Sequence, residues 1–227
     1  MKKNLPVFSG IFIGALVVLL ICIFAFGGVG ASDYIKPCDI GESYAESEID
    51  ALCRDGILEL FAHGEKTFFY PEKGVTREYM AKAMVKYLGI NEKKYDNYIL
   101  PISDEYMITP EYLPYVRAAV ANGIFPLYSD GKNHRFAPTE GVTREEAAYI
   151  AAALCNSYIS SGKAEEYSDF ENTNAAFRAA MKRVVAYGII VGYPDGTLHP
   201  EKTLSREELA LMLSRMKENK NFKNEIK

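Results

Sequence analysis

The sequence predicts an all-α fold made of three tandem helix-loop-helix units, and three observations carry the prediction. A four-residue segment recurs as Val75-Thr76-Arg77-Glu78, Val142-Thr143-Arg144-Glu145 and Leu204-Ser205-Arg206-Glu207. Each arginine follows a proline by six residues (Pro71, Pro138, Pro200), and each proline follows a large apolar residue by two (Phe69, Phe136, Leu198). Upstream lies a Gly-Ile pair (Gly56-Ile57, Gly123-Ile124, Gly188-Ile189), with glycine leading arginine by 21, 21 and 18 residues. Agreement at this many offsets is the signature of repetition, with a loop that varies between two fixed ends.

Each predicted helix has its own justification. The first helices carry apolar residues at intervals of three and four: Ile49, Leu52, Cys53; Val116, Ala119, Val120; Phe177, Met181, Val184, Val185. That spacing gathers them on one face. Gly56, Gly123 and Gly188 follow where a left-handed residue ends a helix. Asp130-Gly131, Asp195-Gly196 and, more loosely, His63-Gly64 mark turns in the connecting loops. The prolines impose an extended or turn conformation on the residue before them. Thr76, Thr143 and Ser205 are the natural N-caps of the second helices. Glu146 and Glu208 complete capping boxes, while the first unit has Tyr79 at that position. The second helices bury Met80, Met84, Val85, Leu88; Ala147, Ala151, Leu154; and Leu209, Met212, Leu213, Met216. One helical pair buries too little surface to stand alone, so the units are expected to pack into one body.

Composition narrows the function. The 227 residues carry 26 basic and 30 acidic side chains, a net charge of -4, which argues against a nucleic-acid partner. Tyrosine is abundant and tryptophan absent. Cys22, Cys38, Cys53 and Cys155 fit no zinc or redox spacing. A Cys38–Cys53 bridge is conceivable, and buried free thiols are preferred. Lys2 and Lys3 precede an uncharged, largely apolar stretch, so residues 1–31 read as a signal peptide or a membrane anchor. Val29-Gly30-Ala31 tips the choice toward cleavage after Ala31. Units follow at 35–90, 98–156 and 163–219, with no room for another domain or a fused cargo.

The arginines at the first helical position place positive charge on the positive end of the helix dipole. Two readings follow. Arg77, Arg144 and Arg206 either clamp neighbouring units, through loop carbonyls or through Asp39, Asp104 and Asp169, or join free helix N–H groups in an anion site.

These motifs, above all Tyr193-Pro194-Asp195-Gly196-Thr197-Leu198-His199-Pro200 to Ser205-Arg206-Glu207, and next Tyr128-Ser129-Asp130-Gly131 through Thr143-Arg144-Glu145, resemble the surface-layer homology domain. The resemblance covers the chain from Ile35 to Lys217. It implies three units in a pseudo-threefold helical assembly with grooves between neighbours, binding acidic, often pyruvylated, secondary cell-wall polysaccharide. By position, the sugar-contacting arginine of the family matches Arg77, Arg144 and Arg206, and its opening acidic residue matches Asp39, Asp104 and Asp169. The family's early tryptophan is missing. Phe177 and Tyr112 lie near its place in units three and two, and Ala45 in unit one. The Gly-x-x-x-Gly pattern survives as Gly188 and Gly192, with Leu60 and Leu127 in the other copies. Sites two and three therefore match the pattern better than site one.

The expectation is a non-enzymatic, exported protein of the cell wall or cell surface, touching membrane only if its N-terminal segment is retained. The alternative is a membrane-tethered structural or protein-interaction module of the envelope. No cofactor is implied. His63, His134 and His199 are loop residues without metal spacing. Glu145-Glu146 and Glu207-Glu208 read as caps and solvent faces, and no catalytic motif supports an enzyme acting on wall glycans.

Overall fold

Six helices carry the fold in this computed structural model, which describes residues 34–155 and 161–222. They are α1 (Glu46–Arg54), α2 (Arg77–Tyr87), α3 (Leu113–Ala121), α4 (Arg144–Ala153), α5 (Arg178–Ala186) and α6 (Arg206–Glu218). The candidate signal or anchor at 1–31 lies outside the described residues. Among those described, no helix is long and apolar enough to cross a membrane.

The first helices end as the glycines require. Gly56, Gly123 and Gly188 have φ of +70°, +65° and +70°. Gly56 N–H donates to the Cys53 carbonyl and Ile57 N–H to Leu52, the paired bonds of a Schellman cap. Gly123-Ile124 and Gly188-Ile189 repeat both bonds. The Gly-Ile pair is thus one local device. Its isoleucine N–H and glycine N–H satisfy carbonyls that the helix end leaves open.

The second helices start where the caps were expected. The side chains of Thr76, Thr143 and Ser205 accept from the N–H three residues on, and the boxes with Glu146 and Glu208 are both formed. All the second-helix residues assigned to the core are buried. In the first helices Val120 and Phe177 are only partly covered.

The purely helical expectation needs one correction. Two short antiparallel hairpins join the helices of units one and two: β1 (Phe61–His63) with β2 (Lys66–Phe68), and β3 (Tyr128–Ser129) with β4 (His134–Arg135). Gly64 and Gly131 turn them with φ of +62° and +88°. The third unit's loop is three residues shorter. It closes as a turn, with Gly196 N–H donating to the Tyr193 carbonyl at 3.0 Å.

Packing runs between units more than within them. Helix α3 lies on α2, α5 on α4, and α1 on α6, so each second helix receives the first helix of another unit. The segments before the second helices also bond to one another in a closed circuit. Val142 N–H donates to Val75, Leu204 N–H to Val142, and Val75 N–H to Leu204, each at 2.9 Å. The approach is close: a Cβ on Gly141 would stand 2.8 Å from Thr203 Cγ2.

Candidate functional site

The motif arginines leave their own helices and enter the neighbouring unit. Arg77 is wholly buried (0 % exposed). Its Nε donates to the Phe136 carbonyl and its Nη2 to the Pro126 carbonyl, both at 2.6 Å, and Nη1 lies 3.3 Å from Glu146 Oε1. Arg144 repeats this one unit on: Nε to the Leu198 carbonyl at 2.7 Å, Nη2 to Val191 at 2.9 Å, Nη1 3.4 Å from Glu208. Their guanidiniums lie 4.4 and 4.7 Å from the ring centroids of Tyr128 and Tyr193. The two tyrosines donate their hydroxyls to Glu146 and Glu208. Burial, then the Glu146 hydrogen bond, pushes Tyr128 up to about 12, so it remains a donor.

Arg206 turns to the first unit and finds a different environment. Tyr79 stands where a capping glutamate would be, and Phe61 where the other units have a tyrosine. The Arg206 guanidinium lies between these rings, 4.3 Å from Phe61 and 4.4 Å from Tyr79. Nη1 donates to the Phe69 carbonyl at 2.9 Å.

The helix N–H groups proposed for an anion are not free. Arg77, Arg144 and Arg206 donate their own N–H to the carbonyls of Glu140, Lys202 and Lys73, and the next residue donates to Pro138, Pro200 and Pro71. The third N–H of each helix bonds the cap hydroxyl. Every second helix therefore has its start satisfied by backbone from a neighbouring unit.

Asp39, Asp104 and Asp169 do not pair with the arginines. Asp104 accepts from Phe136 N–H at 2.9 Å and Ala137 N–H at 2.7 Å. Asp39 does the same for Phe69 and Tyr70, and Asp169 for Leu198 and His199. The second residue of each pair, just before the proline, is left-handed: Tyr70 at φ +57°, Ala137 at +55°, His199 at +47°. The expected extended or turn geometry is therefore corrected. A carboxylate gripping two successive N–H groups holds a strained, non-glycine conformation.

Glu145 and Glu207 are also buried instead of lying on solvent faces. Glu145 accepts from Asn174 N–H at 2.8 Å, Glu207 from the Ser43 hydroxyl at 2.7 Å, and Glu78 from both N–H and hydroxyl of Thr109 at 2.9 Å. Each anchors the approach to another unit's first helix. Burial raises the pKa of Glu145 against the Asn174 hydrogen bond.

Two of the sequence-assigned residues, Arg144 and Gly192, meet in a cleft of 440 Å³. Its floor is apolar, from Ile190 and Val191 to Met212, and Tyr193, Tyr44 and Arg215 stand around it. Tyr44 is 64 % exposed. Arg215 makes one long hydrogen bond, 3.3 Å to the Ile189 carbonyl. Gly192 donates to the Tyr167 hydroxyl at 3.2 Å, and a Cβ there would fall 2.0 Å from the Tyr167 ring. Tyr112 and Phe177 lie elsewhere. Tyr112 is buried and donates to Glu59 at 2.8 Å; Phe177 packs edge-on to Tyr149 at 5.5 Å. Sequence reasoning missed Tyr44 and Arg215. Arg215 was findable as a cation on the helix that Arg206 begins, whereas Tyr44 has no counterpart in the repeat. Cys38 and Cys53 carry free thiols with no bridge between them, and the expected burial holds for Cys53 but not for Cys38, which is exposed.

Comparison with known proteins adds the S-layer homology domain, which matches residues 101–148 and 166–210. That domain is a structural, non-catalytic module. Among the described residues no cluster of metal-ligating side chains occurs. Residues of the chain are 39 % identical over 88 positions to cell surface glycoprotein 1 of Acetivibrio thermocellus, covering 38 % of this chain and 4 % of that protein. A cellulosome-anchoring protein of the same organism is 34 % identical over 84 positions, 33 % of this chain and 17 % of that one. An amylopullulanase of Thermoanaerobacterium thermosulfurigenes is 26 % identical over 193 positions, 83 % of this chain and 10 % of the enzyme. The chain therefore spans only a small part of these relatives' length.

Proposed function

We propose that the chain comprises three S-layer homology units closed into a pseudo-threefold ring, and that it attaches without covalent bonds to the cell wall through an acidic secondary polysaccharide of the pyruvylated kind. The observation that carries this reading is the cleft, which Arg144 and Arg215 line together with a single carboxylate, Glu208, over an apolar floor with two tyrosine rings. A sugar bearing a carboxylate and a methyl group matches both the charge and the apolar surface, and tyrosine suits a partly wet carbohydrate contact. Arg215, with most of its donors uncommitted, is the direct ligand. Arg144 and Gly192 shape the wall, and Asp39, Asp104, Asp169, Arg77 and Arg206 hold the junctions. Tyr112 and Phe177 support first-helix starts.

The names of the two Acetivibrio relatives, a cell-surface and an anchoring protein, point the same way. Under this reading the protein is exported, with residues 1–31 removed after Ala31. An intact mass that retains them would instead identify an anchor. The test of the polysaccharide reading is retention on purified wall sacculi before and after extraction of the secondary polymer. Arg215→Ala is expected to lose retention with an unchanged melting curve. Equal retention on extracted sacculi would sink the proposal. It would favour a protein-interaction module, for which Ile99 and Tyr106, 88 % and 85 % exposed, are the obvious surface.

A further inference from the structure

The junctions differ in what fills the groove between their helices. Counted from the motif arginines and the Gly-Ile stops, Lys82, Lys86 and Tyr115 match Tyr149, Ala153 and Ala180. Where α2 meets α3, the Tyr115 ring occupies this place, with the ammonium groups of Lys82 and Lys86 5.5 and 5.2 Å from its centroid. Where α4 meets α5, all three side chains are exchanged and a groove of 250 Å³ is left. Ala152 and Ala180, both buried, form its floor, and the exposed Tyr149, Ala153 and Ala179 form its sides. Arg183 completes the lining. An aromatic ring entering here would bury its surface against the alanines.

The ring that this groove lacks is presented by another part of the chain. Ile99, Tyr106 and Met107 are large, exposed apolar residues on the approach to α3. Arg117 ties their two segments together, donating to the Asp96 carbonyl at 2.7 Å and to Glu105 Oε1 at 2.9 Å. The fold does not require this surface. Counted from Asp104 and Asp169, the third unit has Glu171 and Asn172 where the second has Tyr106 and Met107. Charge separates the two patches as well. Residues 96–111 carry Asp96, Glu105 and Glu111 beside the buried Asp104, and no basic residue. Residues 175–187, along α5, carry Arg178, Lys182 and Arg183, and no acidic residue. The pairs that Glu105, Arg178 and Lys182 make within the chain are partly exposed and contribute little.

We propose that the chain associates head to tail with a second copy of itself, Tyr106 and its apolar neighbours entering the alanine groove between α4 and α5 of the next molecule. The occupant is a second copy because shape and charge agree: an acidic surface bearing a spare ring matches a basic groove that lacks one. Tyr106 is exposed, so it does not fill the groove of its own chain. A contact between two different patches does not close on itself, and it extends into a row of molecules instead of a symmetric pair. No side chain of the Arg144 cleft lines this groove, so the inference stands apart from the polysaccharide reading.

The test is sedimentation of the full chain at concentrations up to about 1 mM, the weak end of specific association. The average mass is expected to rise with concentration beyond that of a dimer, and to fall as salt is raised from about 0.05 to about 0.5 M. Ile99→Ala with Tyr106→Ala removes the ring-bearing surface. Ala153→Lys with Ala180→Tyr copies the filled groove of the junction between α2 and α3. Each pair of substitutions is expected to weaken association about tenfold or more. Mixed together, the two variants should pair one to one and stop, since one intact groove meets one intact ring surface. If the second variant does not fold, Ala179→Glu, at an exposed position, obstructs the same groove and takes its place. No rise in mass for the parent, association that does not weaken with salt, unchanged association in either variant, or a mixture that stays monomeric overturns the inference.

Discussion

Replacing Arg77 with alanine separates two opposite expectations. If the guanidinium merely faced the dipole of its own helix, its loss would stabilise the fold by a few tenths of a kcal/mol. The structure instead shows two 2.6 Å bonds to buried carbonyls and a contact with Glu146, all within a wholly buried environment. Removing one partner of a buried pair costs about 3–5 kcal/mol. The stranded Phe136 and Pro126 carbonyls each add to the penalty, at about 1–3 kcal/mol if no water reaches them. A loss of about 4 kcal/mol is the conservative figure, and at roughly 2–4 °C per kcal/mol for a chain of this size it lowers the melting midpoint by about 8–16 °C. Arg206→Ala strands no carboxylate. It removes one hydrogen bond and two ring contacts, so its loss should be about half as large. Paired thermal melts of both variants test the order. A midpoint for Arg77→Ala within about 2 °C of the parent, or a larger loss at Arg206 than at Arg77, would refute the clamp.

Four further outcomes follow from the same contacts. Gly141→Ala drives a Cβ against Thr203 Cγ2 and Oγ1, so it should cost about 1–3 kcal/mol and be largely rescued by Thr203→Gly in denaturant melts. Thr143→Ala and Ser205→Ala should each cost about 1 kcal/mol, and Thr76→Ala, outside a capping box, no more; a distinctly larger loss at Thr76 in the same melts would contradict the cap assignment. Asp104→Asn keeps one acceptor for two N–H groups, so it should destabilise the fold, and Ala137→Gly should recover part of the loss by removing left-handed strain; no recovery in thermal melts would show that strain is not what the carboxylate holds. Burial would raise the Glu208 pKa, but hydrogen bonds from Tyr193 and Ser205 and the charges of Arg144 and Lys202 hold it below the usual range. A depressed folded pKa contributes stability above the unfolded value of about 4.3 and loses it as pH falls through the folded pKa; Glu208→Gln should flatten that acid limb, and an unchanged limb would count against it.

Much of the fold was legible because its determinants are local. A threonine or serine cap, a glutamate three residues on and a Gly-Ile stop each act within one turn of helix, so they read directly from spacing. The hairpins were not legible, because two- and three-residue strands are too short to show alternation. Nor was the direction of the arginines. Helix position fixes where a Cβ starts, but the acceptors are backbone carbonyls, and a carbonyl leaves no mark in sequence. The partners are also remote: Glu207 meets Ser43 across 164 residues. The role of the aspartates was hidden for a related reason. Tyr70, Ala137 and His199 share no residue type that announces a left-handed backbone, and only the repeated aspartate some 30 positions upstream marks the three places as equivalent.

The arginine that looked misplaced on its own helix is well placed for the helix it reaches. The second helix of the next unit begins with two glutamates in units two and three, which suit the positive end of a dipole but bring two carboxylates into a poorly hydrated junction. One of them, at the second position, turns outward to bond the approach to another unit's first helix. The other, at the third position, is held by its own cap N–H, a tyrosine hydroxyl and the incoming arginine. The guanidinium therefore meets acceptors from three sources at once, two loop carbonyls and a carboxylate, and protein groups compensate its charge. That arrangement needs both the tyrosine and the third-position glutamate. The first unit has neither, since Phe61 and Tyr79 replace them together, and Arg206 exchanges a carboxylate for two ring faces. A cation over rings is worth only about 0.5–2 kcal/mol per ring, far less than burying a charge costs alone.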